Sequence, residues 1–293
     1  MAYLAVCIIW GSTYLAMRIA VSQFPPELFA GIRFASAGAI VLIFSALKKY
    51  AFPGTWKDFI KAAIPGIFML AGANGLVMFA EQWVHSGITS IILSTTPLFI
   101  AVIELVIFRE NKLGVIWFIL LILGFAGTTL LIVAGQGIGA TDIKGGLMVL
   151  TAALLWALGT IFSQRVKSSG HLVTNIGIQM LAAGAVLSLI GIAAGELNKV
   201  QINSNVVMAM IYLVVFGSII GYSSNMYVLS KWPASIAITS AYINPMVAVL
   251  LGVVLLNEAI DQNSIVFMIL TLGSVIGLHF RKYKLRLKDV KLE

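Results

Sequence analysis

Apolar residues along this chain fall into long runs separated by short polar or turn-rich segments. A hydrocarbon core of roughly 30 Å takes about 20 helical residues per crossing. Ten runs suit that length, at about 3–21, 28–47, 60–82, 88–108, 113–134, 145–165, 173–195, 206–229, 234–256 and 264–280, numbered here as spans 1 to 10. Between them lie Phe24-Pro25-Pro26, Phe52-Pro53-Gly54, Gly135 to Asp142, Glu196 to Asn205 and Asn257 to Asn263, which are turn-rich or polar. The first run lacks a basic leader and a small-residue cleavage site and ends in Met17-Arg18, so it reads as a retained span and not as a signal peptide.

The pattern also repeats. Trp10 returns as Trp156 and Ala37-Gly38-Ala39 as Ala183-Gly184-Ala185, both 146 residues on, while Pro97 returns as Pro245 and Glu110 as Glu258, both 148 on. Five spans per half is an odd number, so the second half enters the membrane from the opposite side. The expected fold is an all-α integral membrane protein, with ten transmembrane helices in two inverted-topology five-helix repeats. Its divisions are residues 1–140 and 141–282, with 283–293 as a basic cytoplasmic tail.

Composition narrows the class. At 60% hydrophobic and 10% charged, with a mean hydropathy of +1.02, the chain has too little polar surface for a soluble globule of this size. The single cysteine, Cys7, excludes an internal disulfide and packs as a small apolar residue. The net charge of +8 finds a membrane explanation. With a cytoplasmic N-terminus, fifteen of the nineteen basic residues fall on the inner side, and Arg18, Arg33, Lys144 and Lys199 on the outer side or the outer thirds of spans. The positive-inside rule then puts both termini in the cytoplasm, with the tail lying on anionic lipid and not on nucleic acid.

At this point particular residues resemble a known group. Trp10-Gly11-Ser12-Thr13-Tyr14, Arg33-Phe34, the run from Ser86-Gly87 through Pro97 to Glu110, and that from Pro233-Ala234-Ser235 through Pro245 to Glu258 look like the EamA family of the drug/metabolite transporter superfamily. The resemblance covers essentially the whole chain. It implies a ten-helix permease of the cytoplasmic membrane, commonly exporting amino acids, metabolites or drugs. The chain departs from the family pattern at Arg109 and Asn257, where a glycine often precedes the glutamate, and at Trp156-Ala157, which replaces a second Trp-Gly.

Candidate chemistry follows from polar and aromatic groups within spans. Trp10, Thr13, Tyr14 and Met17 share one face of span 1, and Trp156, Thr160 and Gln164 one face of span 6. They would line a substrate cavity or simply fill core space. Asn74, Met78, Glu81 and His85 descend one face of span 3, with Tyr222, Asn225 and Met226 as the counterpart in span 8. Gln179 in span 7 joins these cavity candidates, and His85 reads as a loop residue. Glu81 is expected to pair with Arg33, as an outer gate, a proton site or a satisfied charge near the interface.

Pro97 and Pro245 fall near the centres of spans 4 and 9 and free the carbonyls of Leu93 and Ala241. They bend each helix where Ser94, Tyr242 and Asn244 can face a cavity, or are inert kinks. Glu110 and Glu258 would cap the helices that follow. Gly124 with Thr128, and Gly273 with Gly277, allow close helix contact within a monomer or across a homodimer.

The chain offers no HExxH pair, nucleotide-binding glycine loop or aspartate dyad, so neither a cofactor nor a metal is expected and an enzyme is disfavoured. The expected function is non-ATP transport of a small organic solute by alternating access, most simply export from a bacterial cytoplasmic membrane, with proton coupling one route. An importer or exchanger is the alternative, and a membrane scaffold or an intramembrane enzyme the alternative of another class.

Overall fold

The protein is described from a computed structural model at residues 1–84, 89, 92–107, 114–136, 143–247 and 265–278. Among these residues every regular element is a helix. In chain order they are α1 (Ala2–Val21), α2 (Pro26–Leu47), α3 (Trp56–Ala80), α4 (Thr96–Val106), α5 (Val115–Gln136), α6 (Ile143–Arg165), α7 (Leu172–Ala193) and α8 (Ser204–Lys231). Next come α9, formed by Ala234–Ala237 and a second piece at 240–247, and α10 (Ile265–Leu278). Five of them, α2, α3, α6, α7 and α8, are long and apolar enough to cross a membrane.

Helix starts follow from local chemistry. Pro26 sits in the first turn of α2, where its missing N–H costs nothing. The Leu28 N–H in that turn donates to Glu196 Oε2 at 2.7 Å, so a carboxylate from the second half satisfies a helix end of the first. Thr55 before α3 and Asn203 before α8 each accept a backbone N–H from the turn they open.

The central seam joins α2 to α7, which are equivalent spans of the two halves. Their glycines interlock at matched positions: a Cβ on Gly38 would lie 2.5 Å from Leu181 N, and one on Gly184 would lie 2.3 Å from Ala35 N. Gly31 meets Ser188 and Gly177 meets Leu42 in the same way. Only hydrogen side chains allow backbones this close. Because Gly31 pairs near residue 188 and Leu42 near residue 177, the two helices run antiparallel. Equivalent helices pointing in opposite directions are the signature of inverted halves.

Outward faces carry Ile8, Ile40, Ile43, Ile122, Leu189, Ile211 and Ile269, all exposed. An apolar belt of that extent suits lipid and would be a liability in water. Gly124 and Gly127 in α5 face Ser274 and Thr271 of α10, so this small-residue contact lies within the chain, while a Cβ on Gly273 would meet nothing within 4 Å. His85, Glu110, Glu258 and the basic tail lie outside the described residues, as do the side chains of Tyr14, Arg18 and Thr128.

Candidate substrate cavity

Four helices depart from regular α geometry, two in each half, and a cavity sits among them. In α3 the segment Ile67–Asn74 is π-helical, and in α8 so is Leu213–Tyr222. The two segments begin 146 residues apart, the offset that relates Trp10 to Trp156. A π turn holds an extra residue per turn and re-aims the side chains around it, and such turns are frequent at functional sites. Pro65, just before the first segment, removes an N–H from the α ladder and helps to loosen it.

α4 and α9 are interrupted, where the hydrophobic pattern predicts continuous spans. A turn at Ser94–Thr95 precedes α4, and Pro97 then occupies its first turn. The Leu93 carbonyl accepts the Thr96 hydroxyl at 2.6 Å, which supplies a donor near the proline. In α9 the break falls at residues 238–239, with tight three-residue hydrogen bonds from Thr239 N to Ile236 O and from Tyr242 N to Thr239 O. Pro245 lies inside the second piece, so the two prolines occupy different places in their helices.

The cavity holds about 780 Å³ of empty space, a figure that includes its open mouth. Trp10 from α1 and Trp156 from α6 form one wall, edge to face at 5.2 Å and 85°. Trp10 Nε1 donates to the Gly217 carbonyl at 3.2 Å in the π segment of α8. Leu70, Ala73 and Asn74 line it from α3, Leu93 and Thr96 from the start of α4, and Ser240, Ala241 and Asn244 from α9. With its amide oriented so that the nitrogen faces the surrounding acceptors, Asn244 donates to the Ser240 carbonyl at 3.0 Å and the Cys7 carbonyl at 3.2 Å, tying α9 to α1.

Among the described residues, Arg33 is the only charged side chain that lines the cavity. It is 4% exposed, its Nε donates to Ser218 Oγ at 2.9 Å, and its guanidinium lies 4.7 Å from the Phe34 ring centre. The expected ion pair with Glu81 is not formed: among the described residues the one ion pair joins Lys61 to Asp58. Glu81 is itself buried, at the end of α3 and away from the lining. Burial of both groups made a mutual pair plausible, but Arg33 is instead held by a hydroxyl and an aromatic face.

Of the residues singled out from sequence, Trp10, Thr13, Arg33, Asn74, Trp156, Tyr222 and Asn244 meet around this cavity. Met17, read on the same face as Trp10, is there too. Others are placed elsewhere. Met78 is fully buried in the core beside α7 residues, and Thr160, Asn225 and Ser94 are buried off the lining. Gln179 accepts the Tyr222 hydroxyl at 2.8 Å behind the wall, which orients the tyrosine without reaching the cavity. Tyr242 turns away and donates to the Leu121 carbonyl of α5 at 3.0 Å, since its neighbours Ala241 and Ser240 take the cavity side. Gln164 is spent on the α8–α9 connection: it donates to the carbonyls of Leu229 and Trp232 and accepts from Ala234 N.

Thr96 and Ser240 were missed. Thr96 lies next to Pro97, and Ser240 lies one helical turn before Asn244 on the face that lines the cavity.

Comparisons with known proteins agree with this architecture. The EamA-like transporter family profile matches residues 1–133 and 143–280. The uncharacterized inner membrane transporter YedA of Escherichia coli (strain K12) is 35% identical over 263 residues, covering 89% of this chain and 84% of that protein. The uncharacterized transporter YoaV of Bacillus subtilis (strain 168) is 29% identical over 270 residues, covering 89% and 90%. A solved crystal structure superposes with a TM-score of 0.73 at 18% identity, over 94% of this chain and 93% of that one, a likeness of fold.

Proposed function

The chain belongs to the EamA-like transporter family, and from that premise we propose that it carries a small organic solute across a bacterial cytoplasmic membrane by alternating access, in the direction of export. The observation that supports this most is the position of the cavity. It lies between two inverted halves, is lined by symmetry-related pairs of helices, and four of those helices are interrupted or π-helical beside it. Interrupted helices at a repeat interface let one half rearrange against the other around a fixed site.

Transport is powered by an ion gradient, with protons the first candidate, or by the solute's own gradient. We place both termini in the cytoplasm, on the basis of the fifteen-to-four distribution of basic residues. The working unit is a monomer or a homodimer.

Purified protein in liposomes tests the reading. Solute flux marks a carrier, product formation an enzyme, and neither a scaffold. A deletion strain and an overexpressing strain, screened for growth against amino acids and drugs, then identify the solute and its direction. Uptake without efflux in that screen would turn the exporter into an importer. Labelling of a C-terminal tag by an impermeant reagent in intact cells would overturn the orientation.

A further inference from the structure

A buried arginine on a cavity wall is held there for a reason, because an ionised group out of water is costly unless compensated. Arg33 has one hydrogen bond among the described residues, through Nε to Ser218, and one aromatic face, Phe34. Among the described residues its Nη1 is buried without a hydrogen-bond partner, and no carboxylate forms an ion pair with it. Space for the group is also provided: a Cβ on Gly217 would come within 2.9 Å of Nη2 and 3.2 Å of Thr13 Cγ2. The glycine of the π segment therefore leaves room for the end of the guanidinium fork.

Most other polar groups of the lining direct donors to the protein itself: Trp10 to Gly217, Tyr222 to Gln179, and Asn74 to the Met69 carbonyl at 3.4 Å. Thr13, Thr96 and Ser240 each donate their single hydroxyl hydrogen to a backbone carbonyl three residues earlier in the chain. Both Asn244 hydrogen bonds go to backbone carbonyls. The charged donors left over in the lining are the outer nitrogens of Arg33, a planar fork of the kind that matches a carboxylate through two parallel hydrogen bonds.

We propose that Arg33 is the anion-binding group of the cavity and that the carried solute bears one carboxylate on an apolar or aromatic body. The inference rests on the carrier reading and extends it to a substrate class. Among the described residues the lining holds one cation and no second charge, which fits a monoanion, because a dianion would leave an uncompensated charge in a site of low dielectric. The apolar body packs on the wall formed by Trp10 and Trp156, with aliphatic Leu70 and Val77 also in the lining.

Full-length protein in detergent is titrated, following tryptophan fluorescence, with phenylacetate, N-acetylleucine and N-acetylphenylalanine, with the primary amide of each, and with inorganic phosphate. At least one carboxylate should bind about tenfold more tightly than its amide, the value of one charge-assisted pair over a neutral one. Arg33→Gln should erase that preference and Arg33→Lys keep part of it. Gly217→Ala, which crowds the fork without changing charge, should weaken carboxylates and spare amides. The Gly217→Ala variant and the wild-type carboxylate-to-amide ratio decide the matter even if Arg33→Gln does not fold. Equal affinity for acid and amide, absence of saturable binding by every carboxylate, tighter binding of phosphate, or a preference that survives in Arg33→Gln would each overturn the proposal. Liposome flux separates the two readings. Binding with the predicted preference but no flux defeats the carrier and keeps the anion site, whereas flux of solutes without carboxylate preference keeps the carrier and defeats the anion site.

Discussion

Trp10 and Trp156, equivalent residues of the two halves, meet edge to face at 5.2 Å on the wall of one cavity. The internal symmetry of the chain is therefore expressed at the site itself and not only in the scaffold. Trp10 also donates to Gly217 of α8, so the contact ties α1 and α6 to a π-helical segment.

A double-mutant cycle should register that contact. Trp10→Ala and Trp156→Ala should each lower flux and thermal stability, with a coupling of about 1 kcal/mol between them, typical of an aromatic pair. Trp10→Phe keeps a ring but loses the indole donor, and should fall between wild type and Trp10→Ala in stability. Additive losses in thermal unfolding would mean the rings merely occupy neighbouring space.

The α2–α7 seam gives a prediction about stability alone. Gly184→Ala places a Cβ 2.3 Å from Ala35 N, and Gly38→Ala places one 2.5 Å from Leu181 N, so the helices must separate. Each should cost about 1–3 kcal/mol as overpacking does, read as a lower unfolding temperature in detergent. Gly54→Ala, with nothing within 4 Å of the new atom, is the tolerated control. Wild-type stability in Gly184→Ala would show that the seam is looser than described.

How much of this was written in the sequence depends on what kind of order is asked for. Helix positions were legible because apolar run length is a property of the bilayer: α2, expected at 28–47, is Pro26–Leu47, and α7, expected at 173–195, is Leu172–Ala193. The seam glycines were visible in the repeated Ala-Gly-Ala triplets. Cavity residues were legible on regular helices, as with Trp10, Thr13 and Trp156. The reading failed on regular helices where a polar side chain is taken up by protein neighbours, as Gln164 and Gln179 are, and it failed again where the helix period changes. Asn74 and Met78 are four apart, yet only Asn74 lines the cavity, because it ends a π segment and Met78 lies beyond in regular α-helix. Tyr242, two residues from Asn244 in the same helical piece, falls on the opposite face and points to α5. Hydrogen-bond ladders that change from one spacing to another leave no mark in hydrophobic periodicity.

The two prolines should behave differently, although the sequence pairs them. Pro97 occupies the first turn of α4, where no helical donor is lost, so Pro97→Ala should leave stability within about 1 kcal/mol of wild type. Pro245 lies inside the second piece of α9 and leaves the Ala241 carbonyl without its helical donor. Pro245→Ala restores that donor and stiffens α9, so it should lower flux more than Pro97→Ala does, with membrane expression of both near wild type. Unchanged flux in Pro245→Ala would reduce the proline to an inert kink.

Arg33 and Glu81 supply the remaining test, since both are buried and no ion pair joins them. A buried pair that loses one partner leaves the other charge uncompensated, and removing both then restores part of the loss. Without such a pair the two changes act separately. Glu81→Gln and Arg33→Gln should therefore add in thermal unfolding, with a coupling below about 0.5 kcal/mol. Marked rescue in the double variant would show that the pair forms in a conformation populated in solution, and would return Arg33 to a structural role. Flux addresses Glu81 on its own terms, because glutamine keeps its shape and hydrogen bonding but cannot titrate. A proton-coupled carrier that uses Glu81 should lose its response to an imposed pH gradient in Glu81→Gln while still exchanging solute across both faces. An unaltered response in that variant removes the coupling role from Glu81.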